Sequence, residues 1–81
     1  MPFKTETLWI HPVDQSVKAA IVEKSLEVSD KQTSPVELTY PHAPEETEIL
    51  AVRHWVDEES AQAWNSFVTS FAPISSIVVA Y

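Results

Sequence analysis

The chain of 81 residues contains no glycine, and this absence restricts both its turns and its chemistry. Average usage of about 7% would supply roughly six glycines, the residues that reach positive φ without steric cost. Turns must therefore rest on Pro2, Pro12, Pro35, Pro41, Pro44 and Pro73, with Asp and Asn assisting. The same absence removes the phosphate-cradling loop, the dinucleotide fingerprint and the nucleophile elbow, all of which depend on glycine.

Between the prolines, hydrophobic periodicity divides the chain into strands and helices. Over 3–10, Phe3, Thr5, Thr7 and Trp9 fall on one face of a predicted strand, with Leu8 and Ile10 on the other. Asp14 is placed to cap a helix over 15–27, whose stripe runs through Val17, Ala20 and Ile21 and is joined by Val22 and Leu26. The polar stretch 29–35 reads as a loop. A half-exposed strand over 36–40 alternates Val36, Leu38 and Tyr40 against Glu37 and Thr39, and 42–46 reads as a turn. Residues 47–56 make the strongest strand, with Ile49, Ala51, Arg53 and Trp55 alternating with Leu50, Val52, His54 and Val56. Asp57 caps a second helix whose first turn places Glu58 and Glu59 at the positive end of the macrodipole. Ala61, Trp64, Phe67, Val68 and Phe71 then recur at helical spacing until Pro73. A β-branched strand over 74–81 closes the chain, with Ile77, Val79 and Tyr81 opposite Val78 and Ala80.

The order βαββαβ predicts one α+β domain over 1–81 with a ferredoxin-like plan: a four-stranded antiparallel sheet with two helices on one face. Such a sheet should alternate apolar-in with polar-out. Here the third and fourth strands are apolar on both faces, and the first carries Trp9 on one side with Leu8 and Ile10 on the other. A second copy packed sheet to sheet, giving a homodimer, is the economical cover. A chain this short buries only about 60% of its unfolded surface, and without cysteine it has no disulfide to add stability. The sequence leaves open which alternating set faces the partner.

Twelve acidic residues against five basic ones give a net charge of −7. That balance repels nucleic-acid phosphate and anionic lipid, and Arg53 is the one arginine suited to bidentate phosphate recognition. Neither nucleic acid nor membrane is an expected partner. The first ten residues lack the apolar run of a signal peptide, and nothing approaches the ~20 apolar residues of a membrane span. A soluble, cytoplasmic protein is the expectation.

Residues 49–81 carry a resemblance. An apolar strand ends in Arg53-His54-Trp55 and is followed by Val56-Asp57-Glu58-Glu59-Ser60-Ala61-Gln62-Ala63-Trp64, an aromatic-lined helix and a closing strand. This resembles the dimeric α/β-barrel superfamily, which includes antibiotic-biosynthesis-monooxygenase-like and stress-responsive proteins. The resemblance implies sheet-to-sheet dimers; some members oxidise aromatic polyketides without a cofactor and some degrade haem. Several carry a histidine in the second helix, at about the position of Trp64. This sequence has none after His54, which argues against haem chemistry.

Candidate chemistry is sparse. His11, His42 and His54 are spaced too widely for a compact ligand motif, so no metal site or cofactor is expected. His54 reads as a structural or interface histidine rather than a general base. Glu45, Glu46 and Glu48, and Asp57, Glu58 and Glu59, read as a solvated turn and a helix N-terminus rather than as catalytic pairs. The aromatic set suggests a pocket for a small, flat aromatic ligand, lined by Arg53, Trp55, Trp64 and, if the closing strand registers suitably, Tyr81, with Arg53 or Tyr40 as polar handle. Core and dimer interface are the preferred roles of the same aromatics. The leading expectation is a homodimeric scaffold or ligand-binding domain without catalysis. The alternatives are a cofactor-independent monooxygenase-like enzyme acting on a small aromatic substrate, and an accessory module that docks on a basic protein.

Overall fold

Alternating residues become strands where they can pair, and residues at helical spacing become helices where a cap starts them. The structure, a computed structural model, describes residues 2–40 and 47–81. The turn expected over 42–46, with His42, Glu45 and Glu46, lies outside the described residues. Among those described, the elements run β1 (Phe3–Ile10), α1 (Gln15–Glu27), a 3₁₀ turn (Ser29–Lys31), β2 (Glu37–Thr39), β3 (Glu48–Trp55), α2 (Glu58–Thr69) and β4 (Ser75–Ala80). The strands form one antiparallel sheet in the order β2-β3-β1-β4. This is the ferredoxin-like βαββαβ fold.

Register decides what shares a face. On β1, Phe3, Thr5, Thr7 and Trp9 stand opposite Trp55, Arg53, Ala51 and Ile49 of β3. Thr5 and Thr7 also stand opposite Val78 and Ser76 of β4. The helices cover this face, and Trp9 and Trp55 of the sheet join Ala61, Trp64 and Val68 of α2 in one buried cluster between the two layers. The other face carries Lys4, Glu6, Leu8 and Ile10 beside His54, Val52, Leu50 and Glu48.

The helix starts follow the capping chemistry. Asp14 accepts from the Ser16 backbone N–H, and Asp57 from that of Ser60. Helix α2 buries Ala61, Trp64 and Val68 along one line. Helix α1 buries no residue fully, and its stripe is narrower than its composition suggests. Val17 and Ile21 pack on the core, whereas Val22 and Leu26 remain 55% and 72% exposed. Successive helical residues turn by about 100°, so the line through Val17 and Ile21 continues to Ser25 rather than to Leu26. A hydroxyl therefore stands where an apolar side chain was expected.

The stretch after α1 is more ordered than a polar loop. Val56 N–H donates to the Lys31 carbonyl at 2.9 Å and Thr33 N–H to the His54 carbonyl at 3.0 Å. These bonds extend the ladder at the end of β3 and bring Gln32 beside Trp55. No helix among the described residues is long and apolar enough to cross a membrane.

Candidate functional site

Strand alternation splits the candidate residues. Arg53 and Trp55 share the helix side with Trp64, while His54 faces the opposite side of the sheet. Lys4 pairs with both Val79 and His54, so β4 presents Val79, and two residues on Tyr81, to the His54 side. The Tyr81 hydroxyl bonds to His54 Nδ1. Tyr81 therefore takes no part in a pocket with Arg53, Trp55 and Trp64, and the suitable register that such a pocket required does not occur.

Trp55 and Trp64 are core residues. Each is 3% exposed, and their ring centroids lie 5.4 Å apart. The indole N–H of Trp55 donates to Thr5 Oγ1 at 3.0 Å, which satisfies the polar edge that a buried tryptophan brings with it. A second, half-buried network joins Thr7 Oγ1 to Ser76 Oγ, which donates in turn to Asn65 Oδ1 of α2. A recess of about 170 Å³ touches the two rings, at the seam between α1 and α2. It does not open a slot for a flat ring between them.

Arg53 is the unusual residue of this face. It is 8% exposed, and its guanidinium carbon lies 4.5 Å from the centre of the Trp64 ring. Nη1 donates to Ser25 Oγ and to Gln32 Oε1, each at 2.9 Å. Gln32 Nε2 in turn donates to the Ser25 carbonyl at 3.2 Å. The polar residue in the α1 stripe and the ordered turn behind it thus serve one purpose, which is to hold this arginine. Burial pulls the guanidinium below its ordinary pKa, though it remains charged at any pH where the protein is folded.

Two clefts meet at Arg53. One, of about 230 Å³, runs between α1 and the sheet, with Trp9, Leu38, Ile49 and Ala51 on its floor and Lys18 and Ile21 on its wall. The other, of about 470 Å³ and wider at its mouth, is lined by Ser25, Ser29, Gln32, Thr33 and Ser34. Val36 borders both. The sequence reading missed Ser25, Gln32 and the Trp9–Leu38–Ile49 floor. The signal within its reach was the serine on the α1 stripe; the floor depends on pairing between distant strands.

On the opposite face, His54 Nε2 lies 2.8 Å from Glu37 Oε2. A carboxylate only accepts, so Nε2–H donates to Glu37 and Nδ1 accepts from the Tyr81 hydroxyl in the neutral tautomer. Lys4 pairs with Glu6 at 3.2 Å and lies 5.2 Å from the centre of the Tyr81 ring. The arrangement could relay a proton, but it lies on an open sheet surface with Tyr81 53% exposed, and none of the clefts above includes it. Tyr40, the other proposed handle, instead packs edge-on against His11 at 5.0 Å.

The acidic residues at the helix starts act locally. Hydrogen bonding from the Ser16 side chain and backbone holds the Asp14 carboxyl below the usual carboxylate range, and Ser60 does the same for Asp57. Among the described residues, no group of three His, Cys, Asp or Glu side chains could hold a metal ion. Comparison with protein-family models, with curated proteins and with solved structures found no match for this chain.

Proposed function

We propose that this chain is a non-catalytic homodimeric domain, a scaffold that can hold a small ligand, and that two copies join through their uncovered sheet faces. The observation that carries the reading is the composition of that face. Leu8, Ile10, Leu50, Val52, Ile77 and Val79 all lie on it, and Ile10 and Ile77 are 62% and 52% exposed in the single chain. Both helices lie on the other side, so nothing within the described residues shields the patch. Sheets stacked face to face at about 10 Å would interdigitate these side chains. Lys4, His54 and Tyr81 stand toward one end of the face, whereas Glu6 and Glu37 flank Val52 within it, so a stacked copy must accommodate the Lys4–Glu6 and Glu37–His54 pairs. The resemblance to the dimeric α/β-barrel superfamily, whose members dimerise in this way, points in the same direction.

Light scattering across a dilution series tests the reading. The expected mass is that of two chains at micromolar concentration, falling to one chain in Ile77→Asp without loss of helix or sheet signal. A single-chain mass at every concentration removes the proposal.

A further inference from the structure

Arg53 is a buried cation without a counter-charge among the described residues. Buried guanidinium groups are ordinarily matched by a carboxylate or phosphate, yet the partners of this one are the neutral oxygens of Ser25 and Gln32. Only Nη1 makes those bonds. The donors on Nε and Nη2 meet no acceptor among the described residues. A planar fork left with one edge unused is the geometry that recognises a two-oxygen anion.

The surroundings specify the rest of the ligand. Beside Arg53 lies the cleft floored by Trp9, Leu38 and Ile49, an apolar surface with one further cation, Lys18, on its wall. Two of the chain's five basic residues therefore line one apolar cleft, in a protein whose net charge of −7 otherwise repels anions. The planar Nε–Nη2 edge of Arg53 matches the two coplanar oxygens of a carboxylate, and a space of about 230 Å³ admits only a small molecule.

We propose that this cleft binds a small apolar monocarboxylate. Its carboxylate takes the free Nε and Nη2 edge of Arg53, and its hydrocarbon body lies on Trp9, Leu38 and Ile49. The anion supplies the missing counter-charge and covers the exposed floor in one step. The site lies on the helix side of the sheet, away from the dimer face, and gives a chemistry to the ligand in the function proposed above.

Calorimetric titration of the full chain with 4-phenylbutyrate tests the site, with 4-phenylbutan-1-ol and inorganic phosphate as comparators. Saturable binding of the carboxylate is expected, with the alcohol at least about tenfold weaker because it leaves the guanidinium unmatched. Arg53→Lys should weaken the carboxylate while sparing any alcohol binding. Because changes at Arg53 can disturb the core, Leu38→Trp provides an independent arm. Leu38 is 57% exposed, so the larger ring should fill the cleft and abolish binding with the melting temperature unchanged. Equal binding of acid and alcohol, a preference for phosphate, full binding in Leu38→Trp, or no saturable heat with the carboxylate would each overturn the proposal. Light scattering on the same samples separates the two readings. A monomer that binds refutes the dimer alone, and a dimer that does not bind refutes the site alone.

Discussion

The indole nitrogen of Trp55 and the hydroxyl of Thr5 are 50 residues apart in the chain and 3.0 Å apart in the core. Thr5 is 1% exposed and stands opposite Arg53 in the β1–β3 ladder. Its hydroxyl is thus the device that lets a tryptophan be buried at the end of β3. Thr5→Val keeps the shape and removes the acceptor, so it should cost about 1–3 kcal/mol. Thr5→Ser keeps the acceptor and should cost less. Chemical denaturation of the two variants checks the order; equal stabilities would show that the hydrogen bond contributes nothing.

Trp64 joins α2 to the sheet, packing on Trp55 and Phe67 and beneath the Arg53 guanidinium. Emptying a large aromatic site costs about 3–5 kcal/mol, and a domain of this size holds only about 5–10 kcal/mol in all. Trp64→Ala should therefore approach unfolding at room temperature. A melting temperature equal to that of the parent would contradict the packing described here.

Ala72 adopts a φ of 55° just beyond α2, the left-handed conformation in which helices commonly stop and for which glycine is the usual choice. Its N–H donates to the Thr69 carbonyl at 3.1 Å, so the chain completes the stop without a glycine. An L-residue there is strained, and Ala72→Gly should raise stability by about 0.5–1 kcal/mol, the entropy gained by the unfolded chain offsetting part of the relief. Thermal melting decides the matter: a fall in midpoint would show that Ala72 is not under strain.

Acid should loosen the helix starts. Asp14 and Asp57 are held below the usual carboxylate range by Ser16 and Ser60. A carboxylate whose folded pKa is depressed stabilises fully above its unfolded value, near 4 for aspartate, and loses that contribution as pH falls through the folded value. The melting temperature should decline below about pH 4, and the decline should shrink in an Asp14→Asn, Asp57→Asn double variant, since asparagine caps without titrating. Identical acid profiles for parent and variant would assign the decline to other groups.

Periodicity and capping chemistry alone determined the element order, the two capping aspartates and the division of β3 into an Arg53–Trp55 face and a His54 face. Each is a local property: alternation follows from the pleat, and a cap from residues two or three apart. The tertiary structure alone decided that Tyr81 lies beside His54 rather than with Arg53, because the side of the sheet a β4 residue faces depends on its register with β1. It also decided that Trp55 and Trp64 close on one another, that Thr5 completes Trp55, and that Ser25 and Gln32 hold Arg53 at the end of an apolar cleft. These contacts join residues that no local pattern relates, and they exist only once strands and helices from opposite ends of the chain share one core.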